Sequence, residues 1–461
     1  MAKNNGEKKS TYEQMMTSPP PPLLLRLAVP AVISKLIDSI YNFADTYFVS
    51  GLGTSATGAV GIAYPVMTAV YACGLLMGKG AGVSLSHALG ANDREEGERI
   101  VADGMAYMLG IGALVAAVCL TVMTPLARIL GSTETMLPLV CAYLRFISLA
   151  LPFKAASVML GCFFRFQGSF TKSMLGMGFG AVLNIILDPI FIYALGMGVG
   201  GAALATAIGQ CSSFLILLLM SGRDGTIPVR LSQFSFSAQR LKKYVTIGFP
   251  SLLKNSLSSV AAAILNTAAA AFGDPVVAAM TIANRTTNVC LTAYFGLTES
   301  LQTFTGYNYG AKNYRRVSEG FRFTQRFGMA AMGGLGLLLI ILARPIVSIF
   351  NSDPVVLQNG AILLRMQCLT LPILSVPCAG FVMLQAIGEN KRATIVGTGR
   401  QALFLIPIAL ILPRVFGLNG LRITQPLSDV CSTLLSLVML RPVMEMLTED
   451  PAASTQHAEE S

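Results

Sequence analysis

Twelve stretches of this chain are too apolar, and too uniform in length, to belong to a domain folded in water. They run approximately over 26–50, 59–79, 100–123, 137–160, 173–195, 199–220, 244–271, 276–297, 321–342, 356–380, 393–412 and 418–440. At a rise of about 1.5 Å per residue, some 20 apolar residues cross the roughly 30 Å hydrocarbon core of a bilayer as a helix. Lipid offers the backbone no hydrogen-bond partner, so a span of that length must satisfy its own amide groups, which a helix does. The expected fold is therefore all-α, a polytopic membrane protein of twelve transmembrane helices. Composition agrees: only 12% of residues are charged and 53% are hydrophobic, where a soluble domain carries about 25% charged residues. The opening MAKNNGEKKSTYEQMMTSPPPP is polar and has no apolar core of a secretory leader.

The basic residues supply an orientation. With the N-terminus inside, 23 Lys and Arg fall in cytoplasmic segments, among them Lys3, Lys8, Lys9, Lys172, Lys243, Arg316 and Arg400. Only Arg128, Arg344 and Arg414 fall outside, and the remaining seven lie within spans. That bias is what the positive-inside rule requires and places both termini in the cytoplasm of a cell-membrane protein. The net charge of +10 then reflects topology and contact with anionic lipid, and no nucleic-acid partner is implied. The nine cysteines form no CxxC pair and read as small buried hydrophobes. His87, expected in a loop, and His457, in the tail, are the two histidines. No span holds a base for a Ser or Cys nucleophile, so an intramembrane enzyme is not expected. Nor is a cofactor, and a monomer is expected.

A shift of 220 residues lays the chain on itself. Pro30 falls on Pro250, Gly53 on Gly273, Gly90 on Gly310, Pro125 on Pro345, Arg145 on Arg365, Pro152 on Pro372, Gly168 on Gly388 and Gly200 on Gly420. Each half holds six spans, an even number, so both enter the membrane from the same side. Two such bundles are related by a pseudo-two-fold axis along the membrane normal, and rocking them exposes a central cleft to each side in turn. The expected segments are a cytoplasmic tail (1–23), an N-terminal six-helix lobe (24–221), a cytoplasmic linker (222–240), a C-terminal six-helix lobe (241–442) and a second cytoplasmic tail (443–461).

Charged residues at mid-bilayer cost about 2.5–3.5 kcal/mol each on insertion scales, so each needs a reason. Asp45 is expected roughly 7 Å, and Asp188 roughly 10 Å, below the outer ends of spans 1 and 5, with Thr206 of span 6 at a similar depth. Tyr41 and Asp45 are four apart and share a helix face, as do Asn184 and Asp188. In the octet NIILDPIF, Pro189 removes a backbone donor next to Asp188 and opens a local break that the carboxylate and its neighbours can use. Paired carboxylates in a dry pocket hold a proton near neutral pH. Alternatively, Asp45, Asn184, Asp188 and Thr206 offer oxygens to Na⁺.

The run IYNFADTYFVSGLG, the octet NIILDPIF, GVGGAALAT and GANDREEGER together resemble the multidrug and toxic compound extrusion (MATE) family, over roughly residues 24 to 442. The resemblance implies an antiporter that exchanges H⁺ or Na⁺ for organic, mostly cationic, small molecules by a rocker-switch motion of two lobes. It also implies that Tyr41, Asp45, Asn184, Asp188 and Thr206 line the cation site of the N-terminal lobe. Spans 7 and 10 lack the further acids some branches carry, so coupling is expected in the N-terminal lobe alone. Pro30 and Pro250 would bend spans 1 and 7. Asp38 is expected to pair with Lys35 three residues away. Asp429 would cap a broken helix or line the cleft, and Lys254 would face it. The alternative is a flippase of lipid-linked oligosaccharides with related architecture, its pyrophosphate held by Lys35, Lys254, Arg145 and Arg365.

Overall fold

The computed structural model describes residues 11–351 and 353–448, so Lys3, Lys8, Lys9, His457 and much of both expected tails lie outside the described residues. Among them there is no strand. The helices are α1 (Thr11–Thr17), α2 (Pro20–Ser50), α3 (Thr54–Gly90), α4 (Arg94–Thr121), α5 (Met123–Ile129), α6 (Leu137–Phe166), α7 (Phe170–Pro189), α8 (Gly198–Met220), α9 (Ala238–Ala270), α10 (Asp274–Gly310), α11 (Tyr314–Ile341), α12 (Ala343–Phe350), α13 (Pro354–Thr370), α14 (Ser375–Ile387), α15 (Asn390–Thr398) and α16 (Ile406–Thr448). Among the described residues, seven helices are long and apolar enough to cross a bilayer, and eight if α13 and α14, bent by 52° at their break, form one span. The expectation of twelve exceeds this for two reasons. α2, α9 and α10 have the length but carry Lys35, Asp38, Asp45, Lys254 and Arg285 along them. The run Asn390–Thr448 counts once, although Gly417, at φ 57°, divides it into two rods.

The duplication is written in the backbone. α3 and α10, and α4 and α11, begin and end 220 residues apart. Gly53 and Gly273 precede their helices at φ 103° and 95°, and Asn92 and Lys312 both adopt φ 58° in the turns that follow. Asp93 and Asn313 then cap the next helices through Glu96 N (3.0 Å) and Arg316 N (3.4 Å), satisfying a free amide in the first turn. Pro152 sits inside unbroken α6, whereas its counterpart Pro372 falls at the break between α13 and α14.

Two compact units result: Val29–Gly248 with the stretch through Met16, and Phe249 onward with Thr17–Ala28. In the first, α6 is the axial helix. Its most apolar stretch is 72% buried inside the protein, against 28–39% for those of α3, α4, α7 and α8. Tyr143, Leu144, Ile147, Met159 and Phe163 of α6 pack with Met77 and Leu85 of α3 and Met105 and Met108 of α4. The segment between the halves is pinned to this unit. Buried Asp103 of α4 takes Arg240 at 3.0 Å and accepts from Ser235 N at 3.0 Å, while Gln167 Oε1 accepts from Ile227 N at 2.7 Å.

One sequence expectation is corrected. His87 is in the last turn of α3, not a loop, because the helix continues past the apolar run to Gly90. Arg400 lies in a π-helical turn, Gly399–Leu405, and is paired with Asp429. α2 and α9 run continuously through Pro30 and Pro250.

Candidate functional site

Glycines bring α7 and α8 into backbone contact. A Cβ on Gly180 would stand 2.2 Å from Gly209 O, and one on Gly209 would stand 2.7 Å from Gly180 O. Small residues at such crossings let helices approach in lipid, where dispersion and polar contacts hold them. Asn184 lies one turn beyond Gly180 and Thr206 about one turn before Gly209, so the close crossing presses these side chains together. With its amide oriented to satisfy both neighbours, Asn184 donates to Asp188 Oδ2 at 3.1 Å and accepts from the Thr206 hydroxyl at 3.2 Å and Thr206 N at 3.0 Å. All three residues are buried, with Asp188 at 0% exposure.

Pro189 ends the α-helical ladder and the next turn widens to a π-helix, Ile190–Ala194, closed by Leu195 N to Ile190 O at 2.9 Å. Proline's missing donor and ring favour such a local change of register. The turn directs Tyr193 onto α2, where its hydroxyl donates to Phe48 O at 2.6 Å. That contact ties the outer end of α2, with Asp45 on it, to the octet. Tyr41, one turn earlier on α2, shares a hydrogen bond with the Thr206 hydroxyl and interacts electrostatically with Asp45 and Asp188. Asp45 and Asp188 also act on each other, and Asp45 Oδ1 is buried without a hydrogen-bond partner. Spans 1, 5 and 6 thus bring Tyr41, Asp45, Asn184, Asp188 and Thr206 together.

Charge balance separates this cluster from the other buried acids. Asp103 has Arg240, and Asp429 has Arg400 Nε at 2.6 Å with the Thr370 hydroxyl at 2.7 Å. Among the described residues, neither Asp45 nor Asp188 has Lys or Arg within ion-pair distance. Two neighbouring carboxylates without a basic partner disfavour each other's ionised form, and the oxygens around them are of the kind that a proton or a small hard cation could use. The site's oxygens suit either.

The other sequence candidates fall elsewhere. Asp429 belongs to the second unit and is neutralised there. Lys254 points its ammonium at the rings of Phe295 and Phe381, 5.1 and 4.6 Å from their centroids, a cation–π arrangement. Arg365 donates Nε to Ile340 O at 3.3 Å. Asp38 stands with Tyr41, Asn184 and Thr206 on the wall of a cavity of about 50 Å³ in the first unit. Three residues were missed: Tyr143, buried and in electrostatic contact with Asp45 and Asp188, and the cavity residues Lys154 and Gln210. The signal for Gln210 was available, since it follows Thr206 by four. For Tyr143 there was none, because its role depends on where α6 packs.

A family model, MatE, matches residues 30–190 and again 250–411. The chain belongs to the MATE family of membrane transporters. The two matched segments reproduce the 220-residue offset, so each half carries the family's unit. Among curated relatives, the multidrug export protein MepA of Staphylococcus aureus (strain NCTC 8325 / PS 47) is 27% identical over 437 residues, covering 93% of this chain and 95% of that protein. MepA of Staphylococcus haemolyticus (strain JCSC1435) is 26% identical over 433 residues, with the same coverage. Among solved structures, an outward-facing MATE family multidrug resistance transporter of the MOP superfamily superposes with a TM-score of 0.87 at 26% identity, covering 96% of this chain and all of that one. A MATE transporter in a bent conformation gives 0.88 at 25% identity, covering 95% and 99%. As a MATE member this multi-pass membrane protein is a transporter and not an enzyme.

Proposed function

We propose that this MATE protein is a secondary antiporter of the cell membrane, exporting organic, mostly cationic, small molecules in exchange for H⁺ or Na⁺, with both termini in the cytoplasm. The observation that carries the coupling is the contrast in charge balance: Asp103 and Asp429 have arginine partners, while Asp45 and Asp188 have none. The incoming cation supplies the missing charge. Bound as a proton, it is shared between Asp45 and Asp188. Bound as Na⁺, it draws on the carboxylates, the Asn184 amide oxygen and the Thr206 hydroxyl, all hard oxygen donors. Substrate and cation compete for the same anionic pocket, so arrival of one favours departure of the other. The MepA relatives, named multidrug export proteins, support the substrate class. Pro30 and Pro250 each lie two residues past the point where α2 and α9 pass from one compact unit to the other, which suits them as pivots.

The test is efflux of a fluorescent organic cation from proteoliposomes, driven separately by an inward proton gradient and an inward sodium gradient. One gradient drives export in the wild type, and Asp45→Asn and Asp188→Asn abolish that response. Undiminished gradient-driven efflux in both variants removes the proposed site.

A further inference from the structure

The segment that joins the halves forms a strap along α4 with an apolar outer edge. Its polar contacts follow α4 in order. Gln233 donates to Glu98 Oε2 at 2.9 Å, Ser235 N to Asp103 Oδ1 at 3.0 Å, and Ser237 N to the Tyr107 hydroxyl at 3.3 Å. Tyr107 lies nine residues beyond Glu98, so the strap descends α4 by about 13 Å, into that helix's apolar run. Irregular backbone at such a depth needs its amides satisfied by protein, and side chains of α4 satisfy these. Leu231, Phe234 and Phe236 are turned outward, Phe236 with 71% exposure. Both Phe rings stand edge-on to Tyr107, 5.7 and 6.3 Å between centroids. Basic residues flank this edge: Arg230 precedes it, and Lys242 and Lys243 follow in the first two turns of α9, all three exposed. Arg230 shares Glu98 with Arg94, at 3.6 Å from each. Among the described residues, neither lysine has an acid within ion-pair distance. Asp103 is taken by Arg240, and Asp224, the one acid between residues 221 and 243, by Lys172 at 3.3 Å. Gly80 of α3 leaves no room for a Cβ against Tyr244 O, so the start of α9 that carries the lysines is held as closely as the strap.

We propose that this strap is a docking surface for anionic phospholipid, with Phe234 and Phe236 among the acyl chains and Arg230, Lys242 and Lys243 on the headgroup phosphates. The inference stands apart from the export reading, since it uses no residue of the candidate site. Aromatic side chains beside lysine and arginine at the end of a span make an interfacial anchor. Two lysines without acidic partners favour an anionic headgroup over a zwitterionic one, whose own ammonium would face them. Leu231, Phe234 and Phe236 alone fall short of the about 800 Å² that each partner buries in a stable protein interface. The strap belongs to the first compact unit, so the lipid holds that unit, and the depth of α4 follows the charge of the leaflet it meets.

The chain contains no Trp, so Phe236→Trp places a single indole on the strap. The full-length variant is reconstituted in phosphatidylcholine nanodiscs in which a fixed share of the lipid is acyl-brominated phosphatidylcholine or acyl-brominated phosphatidylglycerol. Bromine quenches on contact, so quenching reports the lipid beside position 236. The expected result is blue-shifted emission quenched by both lipids, with an apparent association about fivefold stronger for phosphatidylglycerol, the size expected of one basic side chain at an anionic surface. Raising the salt lowers that preference. Replacing both lysines, Lys242→Gln with Lys243→Gln, brings it near one, and Lys242→Arg with Lys243→Arg preserves it. Water-like emission without quenching overturns the proposal, and so does equal quenching by the two lipids. Emission that follows the number of protein copies per nanodisc, and not the lipid, assigns the edge to a second copy and overturns it as well. If the Lys→Gln pair does not fold, the salt dependence and the Lys→Arg pair decide the matter, and Leu231→Trp serves in place of Phe236→Trp.

Discussion

Neutralising Asp429 and neutralising Asp188 should have opposite consequences, although both are buried aspartates flanked by hydroxyl or amide groups. Asp429 holds Arg400 Nε at 2.6 Å and the Thr370 hydroxyl at 2.7 Å. Asp429→Asn leaves the Arg400 guanidinium without a counter-charge. Breaking a buried pair by removing one partner costs about 3–5 kcal/mol. The Arg400 side chain keeps 25% exposure, so partial solvation sets the expected loss near the lower end, about 3 kcal/mol. For a unit of some 200 residues that lowers the melting temperature by about 6–12 °C. Removing both charges, as Arg400→Met with Asp429→Leu, should recover most of it, because an apolar pair of similar volume avoids the desolvation cost. Asp188→Asn strands no cation, and an amide at 188 can still accept from Asn184. Its stability should stay within about 1 kcal/mol of wild type, while ion-driven efflux is lost. The assay pairs thermal unfolding of the purified variants with efflux from the same preparations. Equal destabilisation by Asp188→Asn and Asp429→Asn would refute the division of the acids into one structural pair and one uncompensated pair.

Further outcomes follow from the packing. Gly180→Val should cost about 1–3 kcal/mol by over-packing and reduce efflux, because its Cβ meets Gly209 O at 2.2 Å and Ser213 Oγ at 2.0 Å. Thermal unfolding and transport, measured together, check both effects. Lys312→Gly should raise stability by about 1 kcal/mol, since Lys312 occupies φ 58°, where only glycine is free of the Cβ penalty. Asp103→Asn should release residues 231–237 from α4, as Arg240 and Ser235 N both lean on that carboxylate, and limited proteolysis of the linker should accelerate.

Several features of the candidate site were legible because they depend on neighbours in sequence. The i,i+4 pairs Tyr41–Asp45 and Asn184–Asp188, and the proline beside Asp188, need only helical periodicity. Thr206 could be placed by depth, since spans 5 and 6 are joined by a short turn. Lys154 and Tyr143 were not legible, because both stand on α6 and reach the site only through its axial position in the bundle. Asp38 was assigned to Lys35 on spacing, yet the fold also sets it on the wall of the cavity that Lys154 lines. The pairing of Arg400 was not legible either, because its partner Asp429 lies 29 residues later and reaches it only in the fold.

The amino-acid order alone determined that the chain is a duplicated, all-helical membrane protein. Those properties follow from apolar run length, the cost of unpaired backbone in lipid and a constant 220-residue offset, all of which are read along the chain. Tertiary structure decided which acids are paired with arginine and which stand without a basic partner. That depends on distances between side chains from separate helices, set here by glycine contacts of α7 with α8 and by the turn after Pro189. Matched prolines make the same point: Pro152 stays inside α6 while Pro372 sits at a break, because the neighbours packed around each, and not the residue itself, set the local outcome.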